Sequence, residues 1–141
     1  MTKQLLKGFW AASLVAVLAV VAVPAQAAEI RCQIPFSFTV NGKTLPAGTY
    51  SVSSEVAQGA LFVRGFSHAA VVLSNSIAST KDTAAKLVFH KYGDQYILRQ
   101  AWMGGGSGRE LPESRLERTL ARAAQDRKVA SSFERVVIPV L

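Results

Sequence analysis

The chain has 141 residues, half of them hydrophobic and 18% charged, the balance of a globular or membrane-associated chain rather than a disordered one. Sixteen Lys and Arg against nine Asp and Glu give a net charge of +7, and the length suits a single domain. The single cysteine excludes an intramolecular disulfide framework and a cysteine-rich zinc site.

Residues 1–27 carry Lys3 and Lys7, an apolar run from Phe9 to Val23, then Pro24 and the small-residue triplet Ala25-Gln26-Ala27. A positive end, an apolar core and small residues at a cleavage site predict a secretory signal peptide, cut before Ala28. The alternative is a retained anchor, because Gly8 to Ala28 is uncharged and about long enough to span a bilayer. The chain is expected to be exported, periplasmic or secreted, and in the cleaved reading the membrane is involved only through this segment before cleavage. Removal of residues 1–27 leaves 114 residues with 14 basic and 9 acidic side chains, a net charge of +5. Cys32 then reads either as a small buried hydrophobe on a strand or as the link of a disulfide homodimer. It is not a lipid-attachment cysteine, since Glu29-Ile30-Arg31 precedes it.

The β domain is expected over residues 28–103. Ile34, Phe36, Phe38 and Val40 alternate with polar residues and predict a half-buried strand on whose core side Cys32 also falls. Pro35 places an edge or a bulge at its start. Asn41-Gly42 suits a two-residue hairpin turn that would pair Val40 with Lys43 and Phe38 with Leu45. Thr49 to Val56 is a strand with Tyr50 and Val52 on one face and serines on the other. Gln58-Gly59 is a turn, Leu61 to Phe66 and Ala69 to Ile77 are further strands, and Ser79 to Ala85 is a loop. The strongest hairpin joins Lys86–Tyr92 to Gln95–Trp102 through Gly93-Asp94. In that register Tyr92 opposes Gln95, His90 opposes Ile97, Phe89 opposes Leu98 and Val88 opposes Arg99. Leu87, Phe89, Tyr96, Leu98 and Trp102 then share the core face.

Residues 104–109 form a glycine-rich connector, and 110–128 a helix entered at Leu111-Pro112-Glu113-Ser114. Leu116, Leu120, Ala123 and Ala124 line one narrow packing side. Residues 129–141 contain Val136-Val137-Ile138 and read as a last strand or a tail. The predicted class is therefore mainly β: a small antiparallel β-sandwich or partly open barrel with one C-terminal amphipathic helix.

Ile34-Pro35-Phe36-Ser37-Phe38, Leu45-Pro46-Ala47-Gly48-Thr49-Tyr50, the Phe89-His90-Lys91-Tyr92-Gly93-Asp94-Gln95-Tyr96 hairpin and the glycine-rich joint into an arginine-rich helix resemble a group of short exported bacterial proteins of uncharacterised function. The likeness covers roughly residues 34–122. It implies an exported β domain and brings no activity, ligand or active site with it.

Leu45-Pro46-Ala47-Gly48-Thr49 is a turn rather than a sorting signal, since its order and its position in the chain are wrong for one. Gly104 to Gly108 leads into Arg109-Glu110 and lacks the Lys-Ser/Thr of a phosphate loop, and Ser107 is not in a Gly-x-Ser-x-Gly elbow. Two histidines, His68 and His90, with no His-x-His or His-x-x-x-His spacing, point to no metal site and no cofactor. The best candidate ligand-binding patch is His90, Tyr92, Gln95 and Arg99, which the hairpin places on one face. Aromatic, guanidinium and amide groups there suit a sugar or a carboxylate, unless another element covers the face. Arg115, Arg118 and Arg122 form one helical stripe, a candidate contact for an anionic surface. Four acidic residues among six basic ones between Arg109 and Lys128 also fit a plain solvated face. Nothing points to nucleic acid.

The expected function is a non-catalytic, exported β domain that binds an envelope component, either a protein or a glycan. The alternatives are a structural or assembly protein of the envelope, acting through edge pairing, a tail contact at Val136 to Val140 or a Cys32 disulfide, and a small secreted hydrolase.

Overall fold

The computed structural model describes residues 28–55, 59–126 and 133–141; the expected signal peptide lies outside the described residues. The described residues form a two-sheet β-sandwich with one helix, the architecture the alternation predicts. The first sheet holds β1 (Ala28–Ile34), β4 (Gly48–Glu55), β5 (Ala60–Arg64) and β6 (Ala69–Leu73), all antiparallel in the order β1-β4-β5-β6. The second runs β11-β8-β9-β10-β7, with β7 (Asn75–Ala78), β8 (Lys86–Tyr92), β9 (Gln95–Gly104), β10 (Ser107–Glu110) and β11 (Glu134–Pro139). The short hairpin β2 (Phe38–Val40) and β3 (Lys43–Leu45) joins it through a parallel contact between β2 and β9. Helix α1 is Arg115–Asp126.

Two of the predicted strands are each divided between the sheets. The alternating run from Ile34 to Val40 breaks at Pro35, which cannot donate to a ladder, so Ile34 ends β1 in one sheet and Phe38 begins β2 in the other. The run from Ala69 to Ile77 crosses at Ser74, whose N–H and Oγ both donate to the Gly59 carbonyl. Ile34 and Phe38 still face inward on either side of the first crossing, and on β6 Ala70 and Val72 face the core while Val71 and Leu73 face outward.

The core lies between the sheets and contains Cys32, Ile34, Phe38, Val40, Leu45, Tyr50, Val52, Leu61, Val63, Leu87, Phe89 and Leu98. Phe38 meets Phe89 and Tyr50 edge to face at 5.5 and 5.0 Å, arrangements that satisfy the ring quadrupoles. The Tyr50 hydroxyl donates to the Pro46 carbonyl at 2.5 Å, which gives the Leu-Pro-Ala-Gly turn a structural task. The chain's end belongs to the fold. β11 pairs antiparallel with β8, half-buried Val136 and Ile138 pack on the core, and the Leu141 N–H donates to the Arg31 carbonyl on β1. Residues 134–139 are thus a strand, and that contact partly closes the sandwich along one side.

The predicted hairpin registers hold at Val40 with Lys43, Phe38 with Leu45, Tyr92 with Gln95, His90 with Ile97 and Phe89 with Leu98. Asn41 and Gly42 sit at φ +48° and +80°, as a primed turn requires. Beyond Phe89 the register shifts. Val88 faces Gln100 instead of Arg99, so Arg99 is the extra residue of a β-bulge. The bulge inverts the side-chain parity of the rest of β9, so Ala101 rather than Trp102 enters the core cluster. Trp102 is buried on the other face instead, directly over Gly108, where an added Cβ would meet its ring at 2.8 Å.

The glycine-rich segment is not a connector. Gly104, Gly105 and Gly106 take φ of +95°, +65° and +79°, which only glycine adopts freely three times in succession, and turn β9 into β10. Gly108 and Arg109 are strand residues between β9 and β7. The helix accordingly starts later than composition implies, at Arg115 rather than at residue 110.

Candidate functional site

His90 and Tyr92 alternate on β8 and so point to the same outer face of the second sheet, and the bulge on β9 aims Arg99 at the same place. Gln95, the fourth member of the expected patch, is exposed at the hairpin end and makes no side-chain hydrogen bond with the other three. The face is covered. Helix α1 lies against β8 and inserts Glu117, whose side chain is 2% exposed.

The three expected ligand-binding residues converge on that carboxylate. His90 Nδ1 is 2.8 Å from Oε1, the Tyr92 hydroxyl donates to Oε1 at 3.0 Å, and Arg99 donates through one terminal nitrogen to Oε2 at 2.6 Å. Groups expected to face an external sugar or carboxylate are bonded here to an internal carboxylate. Burial alone would push the Glu117 carboxyl up, but hydrogen bonds from His90, Arg99 and Tyr92 and the Arg99 charge outweigh it and hold the group below the usual range. The Tyr92 phenol is raised, by burial and by its bond to that anion. Phe133 stacks on the His90 ring at 3.8 Å and 9°. The network extends outward: Arg99 lies 3.7 Å from Glu110, Glu110 accepts from Gln100 at 3.2 Å, and Gln100 accepts from the Trp102 indole at 3.1 Å.

Glu117 is placed by the start of its own helix. The Ser114 hydroxyl accepts the Glu117 N–H at 3.2 Å, and the Ser114 carbonyl accepts the first helical bond, from Arg118, at 3.0 Å. Ser114-Arg115-Leu116-Glu117 has the spacing of a capping box, in which the glutamate side chain normally turns back to the cap. Here it extends into the sheet. The packing side of α1 is Leu116, Glu117, Leu120, Ala121 and Ala124, and Ala123 is exposed. Glu117 is the one buried residue of the helix, and sequence reasoning missed it. Two signals pointed to it: the capping-box spacing, and a glutamate lying three positions before Leu120 and seven before Ala124.

Arg115, Arg118 and Arg122 are exposed on the far side of α1, each in water as a solvated stripe would be. A buried arginine also went unforeseen. Arg109, 6% exposed, donates to Ser74 Oγ at 2.9 Å, to Ser76 Oγ at 2.6 Å and to the Ser74 carbonyl, tying β10 to the crossover between the sheets.

Within the cluster Arg99 Nε is buried and has no hydrogen-bond partner among the described residues. Both Glu117 oxygens are taken, Phe133 covers one face of the imidazole, and among the described residues no serine, threonine or cysteine side chain bonds to His90. Cys32 is fully buried in the core, and burial pushes its thiol up to about 11. A disulfide between two copies would therefore require β1 to leave its sheet. Among the described residues no three His, Cys, Asp or Glu side chains gather as metal ligands do, and no helix is long and apolar enough to cross a membrane.

Among the described residues, the outer face of the first sheet is left open. Its β1 and β4 positions are polar: Glu29, Arg31, Gln33, Ser51, Ser53 and Glu55. Apart from Arg64, its β5 and β6 positions are apolar, with Phe62 beside Val71 and with Leu73 70% exposed. Phe66, at the tip of the hairpin between them, is fully exposed. Comparison with protein-family models, with curated proteins and with solved structures finds no match to this chain.

Proposed function

We propose that this is an exported, non-catalytic β-sandwich that works by binding a component of the cell envelope, and that the outer face of the first sheet is its contact surface. The observation that carries this reading is the exposed group Phe66, Val71 and Leu73 on β6 and the β5–β6 hairpin, with half-buried Phe62 beside Val71 on β5. Contiguous exposed apolar side chains cost solubility and commonly mark interaction surfaces. Two further points support it. The ionisable groups that a hydrolase would draw on, His90 and Glu117, are bonded to each other inside the fold. The first 27 residues have the order of an export signal, and the likeness to short exported bacterial proteins points the same way.

A photo-crosslinking residue at position 71, expressed in the native host, tests the proposal. Adducts are expected in the exported fraction at position 71 and not at Ser53 on the polar half of the same face. Export with no adduct at position 71 would refute it.

A second reading, assembly from copies of this chain, has one observation in its favour. β6 ends its sheet and pairs, among the described residues, with β5 alone, and such a strand is a template for pairing with another copy. Adducts of twice the monomer mass would select it.

A further inference from the structure

The apolar tip has a charge pattern, and the sheet register shows it. On the outer face of the first sheet, the row nearest the β5–β6 hairpin is Arg31, Ser51, Arg64 and Ala69. The next outward row is Glu29, Ser53, Phe62 and Val71, and the one beyond it contains Glu55, Ala60 and Leu73. Cations therefore stand at the tip and the acids one or two rows behind. A third cation joins them from the other sheet: Lys43, beside the β2–β3 turn, donates to the Ala69 carbonyl at 2.7 Å, at the root of the hairpin. That bond uses one of its three donors and leaves two. Arg64 lies over the Phe62 ring at 5.2 Å and its guanidinium edge stays in water. Phe66 projects beyond all three, fully exposed, between Gly65 and Ser67. Gly65 holds this tip close to the body, since a Cβ there would sit 2.7 Å from the Tyr50 ring.

We propose that this tip docks on an anionic lipid surface, with Phe66 inserted at the level of the headgroups and Lys43, Arg64 and Arg31 on the phosphates. The inference rests on the envelope-binding reading and names the component. An aromatic side chain at the end of a rigid hairpin with cations set around its base is complementary to a bilayer, where apolar interior and negative charge lie one behind the other. A protein pocket for Phe66 would need no cations beside it, and a free phosphate would need no exposed phenyl ring. With one aromatic anchor and three cations the docking is weak and reversible, of the kind that concentrates a protein at a surface without fixing it there.

The test is co-sedimentation of the exported protein, its N-terminus read by mass spectrometry, with vesicles of phosphatidylglycerol and phosphatidylcholine, of phosphatidylcholine alone, and with glycerol phosphate as competitor. Binding to the anionic vesicles only is expected, falling with salt and resisting glycerol phosphate. Phe66→Ser is expected to lower the partition about tenfold or more and Arg64→Gln about fivefold, with unchanged melting temperatures since both side chains are exposed. Equal partition of Phe66→Ser and the wild type overturns the proposal, whether a retained leader or another surface holds the protein. So does equal binding to phosphatidylcholine, or complete competition by glycerol phosphate. If vesicle binding fails while position 71 still gives adducts, the envelope-binding reading stands and its partner is a protein; loss of both removes both.

Discussion

Replacing Glu117 by alanine removes the only buried side chain of α1 and leaves Arg99, His90 and Tyr92 without their shared acceptor. Breaking a buried ion pair from one side costs about 3–5 kcal/mol. The lower end applies here, because the Arg99 side chain is 14% exposed and Glu110 stands 3.7 Å from it. Most of that cost falls on the docking of the helix rather than on the sandwich. The core between the sheets does not include Glu117, and once α1 lifts, water reaches Arg99 and relieves it. A docking loss of about 3 kcal/mol is roughly a 150-fold rise in the opening equilibrium of α1. Amide hydrogen exchange followed segment by segment reads this directly: Arg115–Asp126 should exchange about two orders of magnitude faster in Glu117→Ala, while β4, β5 and β8 change far less. Glu117→Gln keeps an acceptor and the shape of the side chain and should give an intermediate rise. The double variant Glu117→Leu with Arg99→Met should recover much of the protection, because a packed apolar pair replaces a buried ionic one at little net cost. Wild-type exchange of α1 in Glu117→Ala would refute the reasoning and assign the docking to Leu116 and Leu120.

Since the folded protein holds the Glu117 carboxyl below its ordinary value, the cluster's stabilisation is fully present above the unfolded pKa, about 4.3, and is lost as pH falls through the lower folded value. Exchange of α1 should accordingly be insensitive to this group between pH 7 and about 5 once corrected for intrinsic rates, and rise below about 4; a rise between pH 7 and 6 would contradict the assignment. Gly106→Ala places a methyl carbon 2.3 Å from the Ser79 carbonyl oxygen at a positive φ, and Gly108→Ala places one 2.8 Å from the Trp102 ring. Each should destabilise by about 2 kcal/mol and lower Tm by roughly 8 °C in thermal melts, whereas a flexible connector would accept both. Cys32 should remain unmodified by an aqueous thiol reagent under native conditions and run as a monomer on nonreducing gels, reacting only on unfolding; rapid native labelling would show that β1 opens.

The sequence carried its local pairings plainly where a short turn fixed the register. Asn41-Gly42 and Gly93-Asp94 each leave two residues to reverse the chain, and the pairs next to them follow by counting. Counting failed at Arg99, because a bulge adds a residue without a mark in composition, and every parity beyond it inverts, which carried Trp102 from the expected core face to the other. The glycine run was misread for a related reason. Flexibility and three successive positive φ angles call for the same residue type, and only the neighbours β7 and β9 decide between them. His90 and Tyr92 were placed together by the hairpin register and Arg99 beside them by the bulge, and a sugar or a carboxylate was the expected ligand. That a carboxylate lay 18 residues on from Arg99, in a helix read as amphipathic by its leucines, was not legible.

The placement of Glu117 also accounts for the unequal outer faces of the two sheets. One helix of 12 residues can cover one of them, and its own packing side is short of apolar bulk, with alanines at two of its five positions. A helix of that kind docks where polar partners wait for its carboxylate. On the second sheet three donors converge within 3.0 Å of Glu117. The outer face of the first sheet offers serines, acids and apolar side chains, with Arg31 and Arg64 apart on β1 and β5 and no cluster to receive a buried carboxylate. The helix is thereby committed to the second sheet by electrostatics rather than by hydrophobic area, although the larger exposed apolar side chains lie on the first. Among the described residues α1 is the one helix, and with it held by the charge cluster on the second sheet, Val71 and Leu73 on the first remain exposed.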